Sequence, residues 1–164
     1  SVQRTGIVLA TPGAKIAGMS TATENAGPVL DLSLESRIQA QQTLVAKAAD
    51  RKLTVHLVGN MAGYTWAMGG DSLKIRSGER ITLEMMNMSM MAHPMHLHGH
   101  HFQIVGIGGK AINGAVRDTV LVPPNQSVTI AFDAKNPAKA WAFHCHHLYH
   151  MAAGMITTVA YDGI

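Results

Sequence analysis

The densest chemistry in this chain lies in "AFHCHHLYHMAAGM", residues 142–155, which holds the only cysteine of the protein. If "AFHCH" is a strand, its side chains alternate, so His144 and His146 face one way and Cys145 the other. One short strand would then serve two sites back to back. His150 and Met155 follow Cys145 by five and ten residues, in a loop of small residues able to fold back. A thiolate, imidazoles and a weak axial thioether are the donors of a blue-copper electron-transfer site. That set needs two imidazoles, so a second must come from elsewhere in the chain.

"HPMHLHGHHF", residues 93–102, can supply it. His96 and His98 form another i, i+2 pair suited to one face of an extended segment, while His93 precedes Pro94 and can point elsewhere. The natural partition gives His93, Cys145, His150 and Met155 to one copper. His96, His98, His144 and His146 go to a second, all-histidine site. Cysteine with several histidines also makes zinc sites, but zinc takes closed tetrahedral sets and gains nothing from Met155. His56, alone on a strand, reads as structural. His100 reads as a packing or hydrogen-bonding neighbour of the ligands. His101 and His147 read as surface residues, with binding of extra metal the lesser reading. In "EMMNMSMMAHPMH" the thioethers suit Cu(I). Yet Met85 and Met86 are adjacent on a strand, so at least one should pack in the core, where Met is an ordinary gap-filler. "NMS" and "NQS" match the glycosylation pattern, a short motif common by chance.

The elements that must position these residues follow from the patterning. The chain has 164 residues, ten His, eleven Met and a formal charge of +3 with His neutral. This is a globular composition with few charges. Its Lys and Arg are scattered, with no basic run or aromatic interleaving of the kind that binds nucleic acid. No apolar run reaches membrane-spanning length. One cysteine excludes an internal disulfide. The opening "SVQRTGIVLATPGAK" lacks the apolar core and cleavage pattern of a secretory signal, as a mature chain or an internal fragment would. Residues 1–12 carry one β-prone run stopped by Pro12 and Gly13. Residues 13–52 read as a linker with a short helix, Leu34, Ile38 and Val45 lying roughly on one side. From Leu53 to the end, short β runs alternate with turn signals, including Ser77-Gly78 and Pro123-Pro124-Asn125. That spacing predicts an all-β Greek-key sandwich or barrel. The isolated strand of residues 1–12 should pair with something outside this zone.

"HPMHLHGH" and "HCHHLYHMAAGM" resemble the two C-terminal copper motifs of multicopper oxidases, the laccase-like and copper-resistance enzymes. "YTWAMGG", "RSGERITLEMMN", "RDTVLVPPNQSVTIAFDAKNP" and the Trp141 strand resemble the last cupredoxin domain of bacterial members, over residues 53–161. "RTGIVLATPGAK" resembles the end of the preceding cupredoxin domain and the interdomain linker. The resemblance implies a type-1 copper on His93, Cys145 and His150 with Met155 axial, a type-2 copper on His96, and a type-3 pair on His98, His144 and His146. It further implies that a phenol, an aromatic amine or Cu(I) gives up one electron at a time at the type-1 copper. Electrons then pass by Cys145 and its two neighbours, about 3.8 Å apart Cα to Cα, to a trinuclear cluster that reduces O2 to water. A periplasmic or secreted location goes with it.

The departures from the family pattern matter as much. The family's cluster takes eight histidines, and this chain offers only four. The expectation is a C-terminal part that needs an N-terminal part, as a fragment or separate chain, carrying two further His-x-His motifs. Met151 stands where some bacterial members place an acidic residue after the type-1 His. Asp118 is the nearest acidic candidate for proton delivery, although a structural hydrogen-bonding role is favoured for it. The competing reading is a stand-alone blue-copper electron carrier, which would have no use for His96, His98, His144 and His146. A trimer building clusters between identical chains fails for lack of histidine.

Overall fold

The computed structural model describes residues 9–16, 31–137 and 139–162. The chain divides into two units, Ser1–Leu30 and Asp31–Ile164. In the first, Pro12 and Gly13 occupy the centre of a turn closed by the Ala14 N–H donating to the Thr11 carbonyl at 3.1 Å. Residues 9–11 form no strand, and the rest of the strand expected within residues 1–12 lies outside the described residues.

The second unit is built from β1 (Arg51–Asn60), β2 (Thr65–Gly70), β3 (Lys74–Arg76), β4 (Arg80–Asn87), β5 (His93–Leu97) and β6 (Phe102–Ile107). There follow β7 (Lys110–Ala111), β8 (Val116–Arg117), β9 (Thr119–Val122), β10 (Ser127–Asp133), β11 (Ala140–Cys145), the short helix α1 (Leu148–Ala152) and β12 (Ile156–Asp162). One sheet runs β2-β1-β4-β10-β6-β7, with β8 also on β6; the other runs β3-β12-β11-β5-β9. The fold is the all-β, cupredoxin-like Greek-key sandwich that the sequence predicts.

Alternating apolar residues of both sheets meet in one core that includes Leu57, Ile75, Leu83, Phe102, Phe132 and Phe143, the usual solution for two half-apolar sheets. β4 shows the pattern cleanly: Ile81, Leu83, Met85 and Asn87 are buried, while Met86 is 40% exposed. One of the two adjacent methionines thus packs in the core, as alternation requires. The Ser77-Gly78 turn does not close a hairpin. It carries the chain from β3 in one sheet to β4 in the other.

The expected helix in the linker is a single 3-10 turn, Glu35–Arg37. Leu32 joins the core, but Leu34 and Val45 are 60% and 80% exposed, so the expected stripe of Leu34, Ile38 and Val45 is not buried as one face and cannot offset the cost of a longer helix. The stretch is instead strapped to the sheets. The Ala40 N–H donates to the Gly114 carbonyl at 3.3 Å, and the Leu44 N–H to Gln103 Oε1 at 3.0 Å. Arg80 Nη1 donates to the Val45 carbonyl at 3.1 Å, while its Nε is paired with Asp133. The compact unit therefore starts at Asp31, ahead of the expected Leu53.

Candidate metal centre

Two neighbouring strands carry His93, His96, His144 and Cys145, His98 and His146 follow directly on their ends, and His150 on α1 and Met155 just before β12 come from the segment after β11. β5 and β11 are antiparallel, with Cys145 opposite Met95, His144 opposite His96, and Phe143 opposite Leu97. Paired residues share a face, so parity sorts the donors. His93 and Cys145 join the core face, and His96, His98, His144 and His146 take the other. No special geometry at Pro94 is needed, because a spacing of three along a strand already reverses the face.

On the core face, His93, Cys145 and His150 are all buried and bring one donor atom each to a common point. Cys145 Sγ lies 3.7 Å from His93 Nδ1 and 3.8 Å from His150 Nδ1, and the two nitrogens are 3.1 Å apart. Metal–nitrogen and metal–thiolate bonds run about 2.0–2.3 Å, so donors sharing one ion should sit about 3–4 Å apart, as these do. The loop that returns His150 is held by its backbone. The Cys145 N–H donates to the Met155 carbonyl at 3.1 Å, and the Met155 N–H to the His150 carbonyl at 2.9 Å. Met155 is fully buried within the same core cluster as Cys145. Gly154 lies between them at φ +120°, and a Cβ there would come within 2.4 Å of the Trp66 carbonyl oxygen. Only glycine fits both the conformation and the space.

Rings clamp the ligands. Trp66 stacks on His150 with centroids 3.9 Å apart and meets His93 edge-on at 5.3 Å. His147 stacks on His150 at 4.0 Å. Two near-parallel rings at that distance cannot share one face, so His150 is sandwiched. His93 is further held by Ser89 Oγ, 2.6 Å from its Nε2. Burial, reinforced by the charges that His150 and His147 would carry, lowers the His93 pKa to about 4. Burial likewise lowers His150. Both rings are thus held in the neutral form that ligates metal. Burial raises the Cys145 thiol, opposed by the His147 N–H. Its proton therefore stays on without a cation and leaves when one binds.

On the opposite face, His96, His98 and His144 form a second cluster. The Nε2 atoms of His98 and His144 face each other at 2.9 Å. The ring of His146 lies beside them, 5.8 Å from that of His144 and 5.6 Å from that of His96, but outside the cluster of three. His96 Nδ1 meets the Asp118 carbonyl at 2.8 Å and Thr119 Oγ1 at 2.9 Å; His144 Nδ1 meets the Cys145 carbonyl at 3.0 Å. A ring nitrogen facing a carbonyl must donate, which leaves Nε2 as the lone-pair end of both rings. His98 is lowered by burial and then by the charges that His96, His144 and His146 would carry. His96, His98 and His146 are at least partly open to solvent, unlike the first cluster.

The remaining candidates sort as follows. Asp118 orients His96, but with its backbone carbonyl; among the described residues its exposed carboxylate accepts only from Thr119 Oγ1, at 3.1 Å. His100 is buried between the His98 carbonyl and the Tyr161 hydroxyl, at 2.9 and 2.7 Å. His56 is half-buried on β1, and His101 is exposed. Sequence reasoning passed over Trp66, Asn87 and Ser89 as site residues. "NMS" was visible only as a glycosylation pattern, yet Asn87 is buried and both its amide hydrogens are engaged, by the carbonyls of Met91 and Val122. The one legible signal was a serine four residues before a ligand histidine.

The family model described as "Multicopper oxidase" matches residues 33–163. This chain is a member of the multicopper oxidase family. It is 44% identical over 115 residues to multicopper oxidase MmcO of Mycobacterium tuberculosis, covering 66% of this chain and 22% of that protein. It is 36% identical over 118 residues to copper resistance protein A of Escherichia coli, covering 66% and 18%. The chain thus spans about a fifth of the length of the curated relatives it matches. The McoA multicopper oxidase of Aquifex aeolicus superposes with a TM-score of 0.62 at 22% identity, over 73% of this chain and 31% of that one, a likeness of fold. Membership of the multicopper oxidase family makes copper the metal these donors are to be tested against. The buried thiol and two imidazoles at mutual separations of 3.1–3.8 Å fit it.

Proposed function

We propose that this chain is the C-terminal part of a laccase-like multicopper oxidase. The carrying observation is the position of Cys145 between His144 and His146, with its sulfur in one donor set and His144 in the other. His93, Cys145, His150 and Met155 would hold the type-1 copper. His96 would hold the type-2 copper, and His98, His144 and His146 the type-3 pair. Copper so bound supplies one-electron oxidation of a donor at the first set and reduction of O2 to water at the second.

The chain's own residues define the rest of the reading. Cys145 is joined to both neighbours by single peptide links, the shortest covalent path between the two sets. Trp66 and the core exclude water from the first set, and the sandwich about His150 fixes its ring. Leu148 and Tyr149, 64% and 71% exposed beside His150, offer a contact surface for a small donor such as a phenol, an aromatic amine or Cu(I). The exposed edges of His96, His98 and His146 face outward, toward the N-terminal cupredoxin domains that would bring the remaining histidines. A periplasmic or secreted location agrees with the relatives named as copper resistance proteins.

The test is oxygen consumption. The 164-residue chain loaded with copper should bind a blue copper yet show no steady O2 reduction. Adding a fragment with the two further His-x-His motifs should restore turnover. His146→Ala in the reconstituted protein should then stop O2 reduction while leaving the blue band near normal. Sustained reduction of O2 to water by this chain alone would overturn the reading.

A further inference from the structure

The hydrogen bonds behind His93 form a chain whose donor and acceptor roles can be deduced. Asn87 Nδ2 gives its two hydrogens to the carbonyls of Met91, at 2.7 Å, and Val122, at 2.9 Å. Both partners are acceptors only, so the amide cannot be flipped and Oδ1 must face Ser89. There Oδ1 accepts from the Ser89 N–H at 2.9 Å and lies 2.9 Å from Ser89 Oγ. The Met91 carbonyl is 3.2 Å from the same hydroxyl. Two acceptors therefore flank Ser89 Oγ, and its one hydrogen must point toward them. The hydroxyl oxygen also takes the Met91 N–H, at 3.3 Å. What remains at Ser89 is a lone pair, facing His93 Nε2 at 2.6 Å. The reverse arrangement would set the oxygen's lone pairs against the acceptors of both Asn87 and Met91, in a buried site where unmatched polar contacts are costly.

We infer that Asn87 and Ser89 are positioning residues that hold His93 as its Nε2–H tautomer, with a bare Nδ1 aimed at Cys145 and His150. Val122 lies on β9 directly opposite His93 on β5, so the relay also ties the end of β4, in the other sheet, to the strand that carries the ligand. The first donor set is thereby oriented by the protein, with no metal needed to select the tautomer. Partners of this kind behind a ligating histidine typically change metal affinity by about 10–100-fold when removed. The inference rests on the reading of His93 as a copper ligand.

The direct test is a long-range proton–nitrogen correlation spectrum of the copper-free 164-residue chain, which reports the nitrogen carrying each histidine proton. His93 should show only the Nε2–H form. An Nδ1–H ring in the unsubstituted protein overturns the inference without recourse to any variant. Ser89→Ala should give a mixture of tautomers and about ten-fold weaker Cu(II) binding in a competition titration. Ser89→Thr, which keeps the hydroxyl, should restore both. Unchanged tautomer and affinity in folded Ser89→Ala would also overturn it. Failure of the copper reading is a separate result: the copper-loaded wild type would then lack a blue band, whatever the tautomer of His93.

Discussion

The two donor sets lie back to back on the same pair of strands, yet the protein treats them in opposite ways. The set around Cys145 is closed. His93, Cys145, His150 and Met155 are all buried, two ring faces clamp His150, and Asn87 and Ser89 back His93. The set around His98 is open. His96 and His144 are oriented by carbonyls, but His98 and His146 stand at the surface. A site complete within one domain can be built into the core during folding. On the function proposed above, the open set would be shared with another domain and so would have to remain on a face.

The largest effect that would break this comparison is removal of the thiol. Cys145→Ser should abolish the blue absorption of the copper-loaded chain while leaving metal bound on the opposite face. A retained blue band would end the assignment of the closed set. Next comes the clamp. Trp66 is buried and stacked on His150, so Trp66→Ala should cost about 3–5 kcal/mol of stability in urea unfolding, as large-to-small aromatic core changes do. A loss under about 1 kcal/mol would mean that the indole is not part of the packed core.

Protonation sharpens the contrast further. His93 titrates at about 4 in the folded protein, below its usual 6.5, so as the pH falls the unfolded chain takes up its proton first. The stability tied to neutral His93 is full above about 6.5 and is lost progressively toward 4. His98, His100 and His150 are lowered too and act in the same direction. The urea midpoint of the copper-free chain should therefore drop across this interval, and His93→Gln should blunt the drop. The smallest effect belongs to the open set. His98→Ala should change copper-free stability by no more than about 0.5 kcal/mol. A cost of several kcal/mol would show that the open face is structural after all.

Much of this was legible in the chain because strand chemistry has a period of two. The i, i+2 spacing of His96 with His98 and of His144 with His146, with Cys145 between the latter two, assigns their faces from the sequence, whereas the expectation for His93 rests on Pro94 when its odd spacing from His96 already sets the side it takes. Turn signals at Ser77-Gly78 and Pro123-Pro124-Asn125 mark strand ends correctly. The linker was harder to read. Leu34, Ile38 and Val45 suggest a helical stripe, but the backbone groups of Ala40, Leu44 and Val45 find partners on Gly114, Gln103 and Arg80, far along the sequence. Those contacts are set by tertiary placement, which local propensity does not encode.

The sequence by itself determined the all-β frame and the alternation that puts Cys145 and His144 on opposite faces of β11, since both follow from residue type and spacing along a strand. Only the tertiary structure decided which groups hold the ligands in place. Trp66 reaches His150 from β2, Asn87 and Ser89 reach His93 from the end of β4, and the Asp118 backbone, not its carboxylate, orients His96. Trp66 is remote in sequence from His150, Asp118 acts through its main chain, and Ser89, though only four residues from His93, is aimed by an Asn87 side chain that the Met91 and Val122 carbonyls hold. Their roles depend on which strands become neighbours, and no local pattern of residues records that.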